Sequence, residues 1–380
     1  MANVSAFNRA VINMITIKDN FRAVRQITSG ELMAVIKGDA YGHGLTECAA
    51  SLTLAGASQL GVLDIEEACT IVRAGIKTKL NILAGLETSE HMKLAVDHKC
   101  VVFVYRWEQL AGLSQVAEAM GKKAEVRLKI DTGMGRLGFP MDTFAELIRK
   151  AKTLQHVKIL GLATHLATYG DNSASWQLKR FADIKSEADR VLGYKLQHSA
   201  LSSGGLLVHP DYSDDLSRVG ILLYGYSPLP SNSTSLFDLP RSRNLIRAIK
   251  PVMTVTSKVL SVRTFKPEET IGYDRTFTVT KEMKVATVPY GYVHGMSRTH
   301  SGRGGALIGG RLAPILGRVS MNLSAYDVTK IAANPGHDVV IIGSQGGETI
   351  GADLAGTWQD TNAYEILCLA GRLSPRVHTY

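Results

Sequence analysis

Residues 33–44 read MAVIKGDAYGHG, an apolar β-rich run that ends in a lysine and breaks at once into glycines. Four apolar residues in a row suit a strand buried on both faces, and Gly38, Gly42 and Gly44 mark where the chain turns away. Seven more β-rich runs follow, at 60–63, 80–84, 101–105, 124–130, 158–164, 197–201 and 219–224. Helix-length amphipathic stretches separate most of them, most clearly at 65–74 (IEEACTIVRA) and 173–192. Alternating strands and helices predict a parallel sheet, and eight strands in roughly 230 residues predict a closed (β/α)8 barrel. An open doubly wound sheet would need fewer strands and a glycine-rich dinucleotide turn, and no GxGxxG follows the first run. In a barrel the C-terminal strand ends form the active-site mouth, which makes Lys37 the first candidate for chemistry. Partial burial disfavours an ammonium, so its pKa falls and the amine becomes a nucleophile or base. On position alone, a surface lysine capping a strand stays open as the alternative.

The texture changes near residue 230. Residues 229–244 (LPSNSTSLFDLPRSRN) are rich in Pro, Ser and Asn and read as a linker. Strand-like runs then dominate, at 253–262, 284–288, 306–308, 313–319 and 339–342, with a short helical stretch near 364–370. The expected fold is α/β: an N-terminal (β/α)8 TIM barrel over residues 1–235 and a C-terminal β-rich domain over 236–380.

With 45% hydrophobic and 20% charged residues, the 380-residue chain has a globular composition. No apolar run approaches the ~20 residues of a membrane span, and the N-terminus shows no signal-peptide pattern. The expectation is a cytoplasmic protein with no membrane partner. The net charge of +9 comes from scattered residues, which favours an anionic small molecule over nucleic acid. Cys48, Cys69, Cys100 and Cys368 form no CxxC pair, so reduced thiols and no metal are expected.

AVIKGDAYGHG (34–44) resembles the lysine segment of the pyridoxal-phosphate-dependent alanine racemases, and that family's other motifs appear in order across nearly the whole chain. The resemblance implies that Lys37 forms the covalent link to the cofactor and that Tyr41 touches its phosphate. VRLKIDTGMGRLGF (126–139) resembles the second signature and assigns Arg136 to the cofactor phenolic oxygen and the substrate carboxylate, a task suited to a planar guanidinium fork. Lys129 matches a lysine that some relatives carry as a carbamate; a simple ion-pair partner is the alternative. GLATH (161–165) places His165 against the pyridine ring. HSALSSG (198–204) assigns Ser202 to the phosphate, with Leu201 where the family usually has asparagine. RVGILLYG (218–225) places Arg218 at the pyridine nitrogen and the amides of Gly220 and Ile221 near the phosphate. A permanently protonated arginine keeps that nitrogen unprotonated, which weakens the electron sink and suits a proton-only reaction.

IGYDRTF (271–277) matches the segment of the second catalytic base, Tyr273. A free tyrosine has a pKa of ~10, so this role asks for nearby positive charge, through His165 and Arg218. GYVHG (291–295) keeps the tyrosine at the substrate opening, Tyr292, but has His294 in place of an acid. RVSMNL (318–323) assigns the Met321 amide to the substrate carboxylate and has Asn322 where most relatives have aspartate. TNAYE (361–365) assigns Tyr364 to closure over the phosphate. Together the resemblance implies an alanine racemase interconverting L- and D-alanine by two bases and supplying D-alanine for peptidoglycan. It also implies a homodimer with shared active sites. The departures at Leu201, His294 and Asn322 keep a broader racemase of serine, lysine or arginine open. A non-catalytic pyridoxal-phosphate carrier is more distant, since it would need neither the β-rich domain nor Tyr273.

Overall fold

The computed structural model describes residues 7–212, 214–229 and 239–380. They form two compact units that interleave along the sequence. One takes Ile17–Gly38 and Leu45–Lys250; the other takes the described residues up to Thr16, together with Asp39–Gly44 and Pro251–Tyr380. The division expected at 235/236 falls within 230–238, outside the described residues. Of the expected linker, residues 240–244 lie in the helix Pro240–Ala248, which carries its proline in the first turn, where a missing N–H costs nothing.

The strand β1 (Arg9–Asn13) belongs to the second unit. The first unit is the barrel. Its strands are β2 (Glu31–Val35), β3 (Gln59–Val62), β4 (Lys79–Ile82), β5 (Val101–Val104), β6 (Ala124–Asp131), the two-residue β7 (Phe139–Pro140), β8 (Val157–Ala163) and β9 (Leu216–Val219). Parallel pairing runs β9-β2-β3-β4-β5-β6-β8. The helices between follow local chemistry. Ile65–Arg73 begins where Asp64 accepts from the Glu67 amide at 3.0 Å, while Glu67 accepts from the Leu63 amide at 2.8 Å. Asn172–Leu192 is capped by Asp171 and ends at Gly193, whose φ of 83° suits glycine.

The expected run 197–201 closes the ring without becoming a continuous strand. It makes isolated parallel bridges, Ala163 to Ser199 and Ser202 to Arg218. Its remaining amides are diverted to carboxylates: His198 donates to Asp215, and Ala200 and Leu201 donate to Asp214 at 2.7 and 3.0 Å. The run expected at 219–224 ends as a strand at Val219, and Ile221–Tyr224 is a 3-10 turn.

Alternation in β6 sends Val126, Leu128 and Ile130 to one face and Arg127 and Lys129 to the other. Arg127 is 1% exposed and sits among β3, β4 and the closing segment. Its guanidinium donates to the Gln197 carbonyl at 3.0 Å and to the side chains of Gln197, Gln59 (3.3 Å) and Asn81 (3.5 Å). Gln59 in turn donates to Glu31 at 2.8 Å. Burial, with help from Arg218, lowers Arg127 to about 10, which leaves it charged at neutral pH.

In the second unit β1 pairs antiparallel with Met253–Lys258 and parallel with Arg376–Thr379. A largely antiparallel sheet extends from there through the expected β-rich runs. The helix Ala363–Leu373 matches the expected helical stretch.

Gly161 admits the Arg127 network, since a Cβ there would stand 1.8 Å from the Gln197 oxygen and 2.8 Å from Arg127 Nη1. Gly161→Ala should therefore cost about 1–3 kcal/mol of unfolding free energy by overpacking. Urea denaturation measures it, and a loss below about 0.5 kcal/mol would contradict the tight approach.

Candidate active site

At the barrel mouth, the Ile36 amide donates to the Gly61 oxygen at 2.8 Å, carrying β2 to its end, and half-buried Lys37 follows. At the end of β6, Asp131 accepts from the amides of Gly133, Met134 and Gly135, which folds the loop that carries Arg136. Burial alone would raise the Asp131 carboxyl, but these amides and Lys129 hold it below the usual range.

His165 follows β8, and Arg218 lies on β9. Arg218 is 8% exposed. It donates to Ser199 Oγ and to the Thr164 carbonyl (2.5 Å), and one Nη lies 3.4 Å from His165 Nδ1. Burial lowers Arg218 to about 10, with Asp214 opposing, so it stays cationic at neutral pH. Burial, then Arg218, Arg136, Lys129 and Lys37, push His165 down to about 3. Burial, then Arg218, Arg136 and Lys37, push Lys129 down to about 8. Four basic side chains thus surround one neutral imidazole, a setting that attracts an anionic ligand.

Ser202 begins the turn beside Arg218, and its buried Oγ meets no hydrogen-bond partner among the described residues. The Gly220 amide is held by Ser203 Oγ at 3.1 Å. An unmatched buried hydroxyl, on a residue whose backbone bridges to Arg218, leaves a hydrogen-bonding group free for an anionic ligand.

The other expected residues lie in the second unit. The Tyr41 and Tyr364 rings are 6.0 Å apart between centroids. Strands Thr270–Ile271 and Phe277–Thr278 form a small hairpin that presents Tyr273, 65% exposed, at its tip. Asp274 in that tip pairs with Arg318 at 2.9 Å. The segment beginning at Arg318 runs on to Met321, and the Tyr292 and Val293 amides donate to the Ser320 and Met321 carbonyls at 3.1 and 3.0 Å. Tyr273, Tyr292 and Met321 are therefore neighbours on linked loops, all well exposed. The two groups of site residues are Lys37, Arg136, His165, Ser202, Arg218, Gly220 and Ile221 in the barrel unit, and Tyr41, Tyr273, Tyr292, Met321 and Tyr364 in the second.

Two family models match the chain: alanine racemase, N-terminal domain, over residues 12–228, and alanine racemase, C-terminal domain, over residues 252–378. The chain belongs to the alanine racemase family. It is 34% identical over 371 residues to the alanine racemase of Syntrophobacter fumaroxidans, covering 95% of this chain and 94% of that one. It is 33% identical over 377 residues to the alanine racemase of Desulforamulus reducens, covering 97% and 98%. The crystal structure of alanine racemase from D-cycloserine-producing Streptomyces lavendulae matches with a TM-score of 0.91 at 30% identity, over 100% of this chain and 98% of that chain. Alanine racemase from Bartonella henselae with covalently bound pyridoxal phosphate matches with a TM-score of 0.85 at 26% identity, over 99% and 100%.

Within this alanine racemase fold, two of the three departures, His294 and Leu201, have local explanations. His294 Nδ1 accepts the Gly291 amide at 3.2 Å, so an imidazole caps the Tyr292 turn. Leu201 is buried and packs toward Gly205 and Leu166. Sequence motifs missed the supporting residues. Gln177, fully buried, donates to the His165 carbonyl (3.1 Å) and to Thr132 Oγ1 (3.2 Å), which meets Thr164 Oγ1 at 2.8 Å. Asp214, raised by burial to about 6, holds the segment leading into Ser202. Neither belongs to a motif, and the expected helix 173–192 gave Gln177 no special place. Among the described residues, no His, Cys, Asp and Glu group could hold a metal, and no helix is long and apolar enough to cross a membrane.

Folded His165 stays neutral to about pH 3, whereas the unfolded chain takes the proton near 6.5. Its contribution to stability is therefore complete above pH 6.5 and is lost as pH falls from there toward 3. Urea unfolding of the wild type and His165→Asn at about pH 7.5 and about pH 5 checks the sign: the Asn variant should lose less on acidification. Equal losses would place the native proton on His165.

Proposed function

We propose that the protein is a pyridoxal-phosphate-dependent alanine racemase. The observation that carries this reading is the barrel-mouth cluster of Lys37, Lys129, Arg136 and Arg218 around a neutral His165. Lys37 would hold the cofactor covalently. Ser202, the Ile221 amide, Tyr41 and Tyr364 would hold its phosphate, with the Gly220 amide shared between it and Ser203 Oγ, and His165 would pack on its ring. Pyridoxal phosphate, when bound, supplies stabilisation of the carbanion at the substrate Cα. Arg218, still cationic at neutral pH, would donate to the ring nitrogen and keep it unprotonated. Arg136 and the Met321 amide would orient the substrate carboxylate, with Tyr292 at the opening.

Racemisation inverts one carbon, so a proton must leave one face and another must arrive on the opposite face. Lys37 would take the proton from D-alanine and Tyr273 from L-alanine, each returning one to the product of the other. Lys129 has no carboxylate within ion-pair distance among the described residues, and its amine is made less basic by its surroundings. Both features support the carbamate over the ion-pair reading: a neutral amine takes up carbon dioxide with release of a proton, and Arg136, Arg218 and Lys37 would hold the resulting anion. Exposure of Tyr273, Tyr292 and Met321 supports a homodimer in which each site borrows Tyr273 from the partner subunit. A cytoplasmic role in supplying D-alanine for peptidoglycan belongs to the same reading. The relatives' names favour alanine over serine, lysine or arginine.

Borohydride reduction of the cofactor-loaded protein should fix the cofactor on a peptide containing Lys37. The unreduced preparation should racemise L-alanine faster than L-serine, L-lysine or L-arginine. Label on another lysine removes Lys37 from its role, and a preference for one of the other amino acids replaces the substrate.

Shared sites make a separate prediction. Lys37→Ala and Tyr273→Ala homodimers should each be nearly inactive. Random mixing makes half the dimers mixed, each with one intact site, so co-refolding should restore about a quarter of wild-type activity. Proven heterodimers with no recovery would mean both bases come from one chain.

A further inference from the structure

Immediately after Lys37 the chain makes a turn of unusual hand. Gly38, Asp39, Ala40, Tyr41 and Gly42 have φ of 66°, 56°, 54°, 54° and 83°, a turn of left-handed helix. Three of these residues carry a Cβ, for which that hand is unfavourable. Such a run persists only where the surroundings over-determine it.

Two sets of contacts do so. The inner set is local: the Gly44 amide donates to the Asp39 oxygen at 3.1 Å, and the His43 amide to the Ala40 oxygen at 3.0 Å. His43 Nδ1 lies 3.0 Å from both the Ala40 and Tyr41 oxygens, so it carries a proton and donates. The outer set comes from the far end of the chain. Arg376 Nη1 donates to Asp39 Oδ2 and to the Gly42 oxygen (3.3 Å). His378 Nε2 donates to the His43 oxygen at 2.8 Å. Both side chains project from Arg376–Thr379, the strand held parallel to β1. Opposite them the turn presses on the helix Ala363–Leu373, where a Cβ on Gly371 would stand 2.0 Å from the Gly42 oxygen. That helix also carries Tyr364, the neighbour of Tyr41.

One guanidinium nitrogen therefore ties the second residue of the left-handed turn to its last. We propose that Arg376 is a positioning residue: by joining Asp39 to Gly42 it fixes the turn that sets Lys37 at one end and Tyr41 at the other. The proposal rests on the roles of Lys37 and Tyr41 given above. Arg376 would act through the backbone, touching neither cofactor nor substrate.

The test uses Arg376→Ala, Arg376→Lys, Asp39→Asn and the double variant Arg376→Ala/Asp39→Asn as full-length protein. In cofactor-loaded Arg376→Ala, kcat should fall on the order of tenfold toward both enantiomers while KM moves less than about twofold, since misplaced groups lose alignment rather than ground-state binding. Cofactor release, followed by visible absorbance, should be about fivefold faster or more. In the cofactor-free protein, amide exchange at His43 and Gly44 should speed up on the order of tenfold. Arg376→Lys keeps a charged donor and should recover about half of wild-type kcat or more. The double variant should be no worse than the poorer single one, because both remove the same tie.

Unchanged kcat, release and exchange in Arg376→Ala would overturn the proposal. So would a fall in kcat without faster exchange at 43 and 44, or additive losses in the double variant. If Arg376→Ala does not fold, Asp39→Asn, which keeps the side-chain shape, decides by the same three measurements. A wild-type protein that binds pyridoxal phosphate but racemises no amino acid would overturn the racemase reading alone, since release and exchange still decide the role of Arg376.

Discussion

A guanidinium buried inside the barrel constrains nearly everything above it. Arg127 reaches from β6 to Gln59 on β3, to Asn81 beside it on β4 and to Gln197 on the closing segment. Removing one partner would leave a buried charge short of a hydrogen bond, which costs far more than the bond itself contributes. The interior therefore keeps amide side chains at these positions and glycine at 161. Arg127 also sets what stands next to it along β6. The strand repeats its facing every second residue, so Lys129 sits about 6–7 Å closer to the mouth on the same side. The inner network and the reactive cluster are successive layers of one strand.

At the mouth the electrostatics are lopsided. Lys37, Lys129, Arg136 and Arg218 act on one another, while the nearest acids serve the backbone. Asp131 folds the loop before Arg136, and Asp214 holds the amides before Ser202. The carboxylates shape the site without neutralising it. Burial, and after it the unmatched positive charge, keeps His165 neutral and makes Lys129 less basic, and that charge suits a ligand that brings negative charge of its own. Gln177 and the Thr132–Thr164 pair fix the backbone of His165 beneath.

Most barrel strands could be read from the sequence because each is a short apolar run between helical stretches, a local signal. Residues 197–201 looked equally strand-like, but Asp214 and Asp215 take amides that a neighbouring strand would otherwise take. Nothing local in residues 9–13 says that their partners lie at 253–258 and 376–379, so the interleaving of the units was invisible. The glycines of 38–44 announced a turn but not its hand, because Asp39, Ala40 and Tyr41 are held left-handed by residues some 335 positions away. The site residues stood out because their motifs carry distinctive chemistry. Arg127, Gln177 and Asp214 are ordinary polar residues whose importance lies in where the fold buries them.

The placement of β1 also sets an order of events during synthesis. Among the described strands β1 emerges from the ribosome ahead of the rest, with one partner at 253–258 and another at 376–379. The barrel can close its ring once β9 has emerged, but β1 must wait for roughly 360 more residues before its parallel neighbour exists. At 5–20 residues per second that interval is about 20–70 s. Throughout it the edge of β1 that will take 376–379 is open to any other strand within reach. The polar ends of RAVIN, Arg9 and Asn13, limit how readily such mispairing occurs. Nascent chains crowded on one messenger would be most exposed to that error, and residues 376–379 are the ones that end it.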